Sequence, residues 1–246
     1  MKKILLTFVS AILTITFTAA AFAAHHLPFE YGQLYTLKVS DPAALLAAMQ
    51  KFRNSPIGKQ NPSGVSLSQF IANGESDATH SISVTYPTAA AMDASRKMNA
   101  GSPEVAEVGK VFQSVSEPES SGLFMLMKAE IVEGAITSAN PVSMSISLAV
   151  TDQAAFMAAI DKLWDSKASK AFPGNRYMAN VMASGESEVT HAVVFQANDM
   201  ATLMQGFQDM QSSPEMTAYL NNAANFRRIV SRTVGVNVWA SPIPSN

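Results

Sequence analysis

The sequence predicts an α+β protein made of two tandem βαββαβ repeats that pair within one chain as a pseudo-dimeric barrel. Three observations predict it. Gly74-Glu75-Ser76-Asp77-Ala78-Thr79-His80 returns 111 residues later as Gly185-Glu186-Ser187-Glu188-Val189-Thr190-His191. Ser102-Pro103-Glu104 returns as Ser213-Pro214-Glu215, and the six residues from Val39 return from Val150, at the same spacing of 111. Separated anchors that share one offset mean duplication of a whole unit. Finally, the apolar period within each unit switches between two and 3.6, the alternation of strand with helix.

Each element has a local reason. Tyr35, Leu37 and Val39 share one face at period two, which predicts the first strand; Ile146, Leu148 and Val150 are their counterparts. Asp41 followed by Pro42 starts a helix, with Asp as cap and Pro in the first turn; Asp152 keeps the cap in the second copy. Leu45, Met49 and Phe52 form the stripe of this helix, matched by Phe156, Ile160 and Leu163. A Pro-containing loop is expected from Pro56 to Gly64, then a strand from Val65 to Ala72. Asn73-Gly74 is a short hairpin cue, with Thr79 to Tyr86 as the returning strand. Helical sequence follows from Thr88 to about Ser116, interrupted near Gly101, with Ser102 and Pro103 restarting it. Leu123 to Lys128 closes the first unit and Val234 to Trp239 the second. Strand, helix, two strands, helix and strand is the split βαβ, ferredoxin-like order. Helices cover one sheet face, and the bare face is expected to be covered by the other repeat, sheet against sheet.

The chain opens with a targeting signature. Lys2 and Lys3 precede an apolar run from Ile4 to Phe22, and Ala21-Phe22-Ala23 fits a small-x-small cleavage site. The expected division is a bacterial signal peptide at 1–23, a linker at 24–33, the first repeat at 34–130, a linker at 131–142 and the second repeat at 143–246. The product is expected in the periplasm or medium, without stable membrane insertion. Cleavage leaves 15 basic and 19 acidic side chains, a net charge of −4, which argues against nucleic acid as a partner. The absence of cysteine excludes disulfides, thiol nucleophiles and zinc–thiolate sites.

Candidate chemistry is sparse. His80 and His191 occupy equivalent positions, and a symmetry-related imidazole pair could act as proton shuttle or general base. Each is also in phase with apolar residues expected to face the helices, Ile82 and Val84 in one copy and Val193 and Phe195 in the other. A structural role therefore stands beside the catalytic one, and the direction of the two side chains decides between them. Glu75 and Glu186, five residues before each His, could orient the imidazoles or simply be solvated turn residues. The opposite strand face carries Thr79, Ser81, Ser83 and Thr85 in copy one and Thr190, Ala192, Val194 and Gln196 in copy two. Ser66 and Ser68 on the neighbouring strand match Tyr177 and Ala179. An interior with hydroxyls in one half and apolar groups in the other could hold an amphipathic small molecule, with Ser66, Ser68, Ser81, Ser83 and Tyr177 as candidate contacts. His25 and His26 follow the cleavage site, and Ala24-His25-His26 would offer an amino-terminal square-planar site to Cu(II). Arg227, Arg228 and Arg232 form a basic cluster expected at a helix end. The chain has no Gly-rich phosphate loop, nucleophile elbow or metalloprotease helix motif, and no cofactor is expected.

The unit length, the element order and the turn from Gly74 through Thr79-His80 resemble the dimeric α/β barrel superfamily. That superfamily includes antibiotic-biosynthesis-type monooxygenases, small isomerases, stress-responsive proteins and haem-binding members. Its members usually pair two chains, so the resemblance implies that this chain makes the pair internally, which makes a monomer the expectation and leaves further pairing open. The functional expectation is an exported small-molecule-binding protein. The alternatives are a cofactor-independent monooxygenase or isomerase using a core histidine as base, and a copper or haem binder. For the leader, the expected intact mass of the exported protein is that of a chain beginning at Ala24; a product retaining all 246 residues would overturn the assignment.

Overall fold

The computed structural model describes residues 28–185 and 187–244. Repeat 1 contains β1 (Tyr31–Val39), α1 (Pro42–Asn54), α2 (Pro56–Gln60), β2 (Gly64–Ala72), β3 (His80–Tyr86), α3 (Ala89–Asn99), α4 (Pro103–Val115) and β4 (Ser116–Glu130). Repeat 2 contains β5 (Val142–Val150), α5 (Gln153–Trp164), α6 (Lys167–Lys170), β6 (Asn175–Ala183), β7 (His191–Ala197), α7 (Met200–Gln211), α8 (Pro214–Ala223) and β8 (Arg227–Ser241). The expected caps are in place. Asp41 accepts from Ala44 N at 3.0 Å and Asp152 from Ala155 N at 3.0 Å. Ser102 accepts from Val105 N at 3.2 Å and Ser213 from Met216 N at 3.1 Å. Each satisfies an otherwise orphaned amide, worth about 1 kcal/mol.

Three expectations are corrected. The loop after α1 contains a short helix, because Ser55 caps it and Pro56 suits its first turn. Gly74 takes the left-handed conformation with φ 62°, but β2 and β3 part after the Gln69–His80 pair, so the connection is a wide loop rather than a tight hairpin. The last strand of each repeat is much longer than expected, with 15 residues in both β4 and β8. The polar stretch from Ser116 to Gly122 hides the strand, since exposure leaves it without apolar alternation. Pro118 is accommodated where the β1–β4 register shifts. Arg227, Arg228 and Arg232 accordingly lie within β8 rather than at a helix end.

The strands form one closed barrel in the order β1-β3-β2-β8-β5-β7-β6-β4, with every neighbouring pair antiparallel. The repeats thus join edge to edge, at a β2–β8 seam and a β4–β6 seam, rather than as two stacked sheets. The long fourth strands make this possible. β4 pairs with β1 through Met125 and with β6 from Leu123 to Glu130. β8 pairs with β5 through Val236 and with β2 from Val234 to Ser241. Bulges at Met127 and Val238, 111 residues apart, turn the crossing segments toward the opposite repeat's helices.

Two cores lie between the helices and the outer barrel surface. Leu37, Leu45, Met49, Leu67 and Ile82 form the repeat 1 core, which Val238 and Trp239 from β8 join. Repeat 2 has a larger, phenylalanine-rich core including Phe156, Phe172, Phe195 and Phe207, which Met127 from β4 joins. At the β4–β6 seam, Glu130 accepts from Arg176 and from Trp164 Nε1, the latter at 3.0 Å. The Arg176 guanidinium lies 5.1 Å from the Trp164 ring centre, and Lys128 lies 5.4 Å from the same ring. Arg176 is 1% exposed, so removing its carboxylate leaves a buried cation. Glu130→Ala is expected to lower stability by about 2–4 kcal/mol, checked by denaturant unfolding, and Arg176→Met in the same chain should restore much of that loss.

Candidate functional site

Strand alternation divides the barrel side chains into two sets. Leu37, Leu67, Ile82 and Leu148 point to the helices, so Thr36, Ser66, Ser68, Ser81, Ser83 and Thr85 point into the barrel. The strand register places these hydroxyls directly opposite one another: Ser66 with Ser83, Ser68 with Ser81, and Ser81 with Thr36. Thr36 Oγ1 continues the band to Ser120 Oγ at 2.7 Å, and Ser68 continues it to Asn237. Four of the five residues expected to contact a ligand therefore stand together. The second half is less apolar than expected, because β5 turns Ser143, Ser145 and Ser147 inward.

At the end of the barrel where β1, β2 and β8 meet loops, a cavity of about 400 Å³ opens onto this band. Ser66, Ser83 and Thr85 form its polar wall. Phe29, Pro242 and Ile243 form its apolar wall, and none of its lining residues is ionisable. Phe29 is steadied edge-on against Phe124, with ring centres 6.2 Å apart. Gly64 matters here for space: a Cβ would come within 2.7 Å of Thr85 Oγ1 and 3.2 Å of Ile243 Cγ1.

The equivalent region of repeat 2 carries Asn175, Tyr177, Val194 and Gln196 in place of Gly64, Ser66, Ser83 and Thr85. Each replacement is larger. Tyr177 therefore occupies the matching position in the other half and does not line this cavity, and burial pushes its phenol above the ordinary tyrosine value. Sequence reasoning placed Thr85 on the inward face but did not count it, Gly64 or Phe29 among the candidate contacts. The differences between copies at the first two were the available signal.

The two core histidines have a different setting. His80 is in phase with Ile82 on the helix face, and His191 lies against Phe156 of α5, ring centres 5.2 Å apart. Each imidazole Nδ1 meets the hydroxyl of the preceding threonine, at 2.8 Å in copy one and 3.0 Å in copy two. The same hydroxyls accept from Val39 N and Val150 N, both at 2.9 Å. The repeated Thr-His pair thus fastens the end of β1 or β5. Both side chains face the helices, in separate cores, so neither is placed as a base at the cavity or as an axial ligand to a haem inside the barrel. Glu75 is exposed in the loop at the opposite end of the barrel from the cavity. Glu186, His25 and His26 lie outside the described residues. Among the described residues no cluster of three or more histidine or carboxylate side chains is placed to hold a metal ion.

A second depression, about 380 Å³, lies between α1 and α4 on the outside. Ala44, Ala47 and Ala48 line it and the Lys51–Glu107 ion pair, 2.7 Å, spans it. It has no link to the hydroxyl band.

No protein-family model matches this chain, and no curated protein matches it. Solved structures do. A candidate monooxygenase from Fusobacterium nucleatum superposes with a TM-score of 0.61 at 12% identity, over 87% of this chain and 94% of that one. A candidate monooxygenase from Lactobacillus acidophilus gives 0.56 at 10% identity, over 87% and 96%. An anthrone oxidase-like protein gives 0.56 at 8% identity, over 88% and 94%. This chain has the dimeric α/β barrel fold, with both halves of the pseudo-dimer in one polypeptide.

Burial pushes both imidazoles below the ordinary histidine value of 6.5. The unfolded chain therefore binds protons that the folded chain refuses as pH falls below 6.5, and stability falls with it, levelling off below the depressed folded values. Unfolding free energy measured at about pH 5 should be lower than at about pH 7.5, and the difference should shrink in a His80→Gln, His191→Gln double variant.

Proposed function

We propose that this chain is an exported protein that binds a small amphipathic molecule in the mouth of its barrel, on the repeat 1 side. The observation that carries this reading is the asymmetry between copies. Where repeat 2 has Tyr177, Val194 and Gln196, repeat 1 has Ser66, Ser83 and Thr85 around a cavity of about 400 Å³. That volume lies in the range of small-ligand pockets. Apolar walls with a few convergent hydroxyls suit a ligand with a flat or compact apolar body and hydrogen-bonding groups at one edge. Export rests on Lys2, Lys3, the apolar run and the cleavage motif. Among the described residues no helix is long and apolar enough to cross a membrane.

A second reading is favoured by the fold neighbours, described as candidate monooxygenases and an anthrone oxidase-like protein. In that reading the same cavity holds a substrate that is oxidised without a bound cofactor. His80 and His191 are poor candidates for its base, since both pack toward helices. Oxygen uptake with an anthrone, retained in the double histidine variant, would support oxidation without them.

Ser66→Tyr tests the binding reading. It imports the repeat 2 residue at its equivalent position, so the barrel should fold and melt near the wild-type temperature. Native mass spectrometry of protein recovered from its own compartment should show a bound small molecule in the wild type and none in Ser66→Tyr. An adduct that survives unchanged would remove the cavity as its site.

A further inference from the structure

α3 and α7 are equivalent helices held in different ways. α7 is anchored in the repeat 2 core through Leu203, Phe207 and Met210, and its Gly206 lies close against Phe172. The matching positions of α3 are Met92, Arg96, Asn99 and Ser95. Only Ser95 of α3 is buried, and no α3 side chain joins the repeat 1 core. The surface beneath α3 is polar in turn. Asn61 stands where repeat 2 has Phe172 and is 1% exposed. It donates to Asn99 Oδ1 at 2.9 Å and accepts from Ser63 Oγ at 2.8 Å. Tyr86 stands where repeat 2 has Ala197 and is 4% exposed. It donates to Gln33 Oε1 at 3.1 Å, where repeat 2 has Met144. Pro87 precedes α3, and Gly101 follows it with φ 75° where repeat 2 has Ser212.

We propose that α3 is a lid that opens as a unit while the barrel stays folded, and that a ligand in the barrel mouth holds it shut. Regions that bury few apolar side chains open at the lowest free energy. An 11-residue helix has little stability of its own once it leaves its seat, so α3 opens by unfolding locally. The link to the mouth runs through the backbone. Phe29, Gly64 and Thr85 line the cavity, and their chain neighbours Glu30, Ser63 and Tyr86 belong to the seat of α3. Glu30 N donates to the Tyr86 carbonyl at 3.0 Å, tying two of these segments together. Opening α3 therefore loosens the segments that shape the mouth. A ligand that needs them in place binds the closed form better, and closure favours binding to the same extent. The coupling rests on the small-molecule reading given above; the opening itself does not.

Hydrogen exchange of the full mature chain, read segment by segment, tests both parts. Amides of α3 should exchange about a hundredfold or more faster than those of α7, the scale of two apolar side chains left unburied. Asn99→Ala removes the bond to Asn61 and should speed α3 about tenfold further. The ligand probe is 2-naphthol, neutral and amphipathic, with binding followed by its own fluorescence. At saturation it should slow exchange in α3, and Ser66→Tyr should lose both the binding and the slowing. Equal protection of α3 and α7 would overturn the lid. Binding of 2-naphthol that leaves α3 exchange unchanged would overturn the coupling and leave the mouth site standing. Fast exchange in α3 with no binding of 2-naphthol would keep the opening and overturn the coupling together with the small-molecule reading.

Discussion

Closure of the backbone ladder is the constraint on which the rest of this structure depends. A four-stranded half in the order β4-β1-β3-β2 has two open edges, each a row of unpaired amides and carbonyls. Pairing β2 with β8 and β4 with β6 removes all four edges of the two halves at once. Having both halves in one polypeptide makes that pairing intramolecular and independent of concentration. It also explains the 15-residue fourth strands, which must serve the sheet of their own repeat along one stretch and the opposite sheet along the next. Bulges at Met127 and Val238 mark the handover in both copies.

The handover gives each core a contribution from the other repeat, and this ties together substitutions that look unrelated in sequence. Arg53 matches Trp164, Val65 matches Arg176, Trp239 matches Lys128 and Ser241 matches Glu130. In space these are two versions of one cluster. Each seam holds a tryptophan and a buried arginine, but at different positions: Trp164 and Arg176 in one stand where the other has Arg53 and Val65, and Trp239 stands where the first has Lys128. Close packing allows such changes in sets, because changing one member alone leaves either a void or a clash. Glu130 gives the first seam a counter-charge that Ser241 cannot supply to the other, and that is the remaining inequality between the seams.

How far the sequence discloses this depends on whether a residue's role is local. The caps at Asp41, Asp152, Ser102 and Ser213 act within three residues and were legible as spacing. Alternation in β3 correctly separated the faces of Ile82 and Ser83, since one face is packed on helices. Ser116 to Gly122 was illegible as strand because neither face is buried enough to impose apolar residues. Edge-to-edge closure was illegible because backbone pairing between distant segments, such as Leu126 with Ala179 and Ser68 with Asn237, leaves no side-chain signature. The cavity was half legible: the serines on β2 and β3 were visible, but Phe29, Pro242 and Ile243 reach it from chain segments outside the repeat pattern.

The same logic explains why the most conspicuous motif is the wrong place to look for a ligand. What two copies retain is what both must do, and both must fasten β1 or β5 through a threonine hydroxyl and seat an imidazole in a helix-packed core. A ligand site in an intrachain pseudo-dimer needs to exist only once. Where one copy holds the cavity, the other need only fill its share of the barrel. Tyr177 fills that position where Ser66 keeps space open. The residues most informative about binding are therefore those that diverged toward small and polar in one copy and toward large in the other. Gly64 against Asn175 and Thr85 against Gln196 join Ser66 against Tyr177 at one end of one barrel.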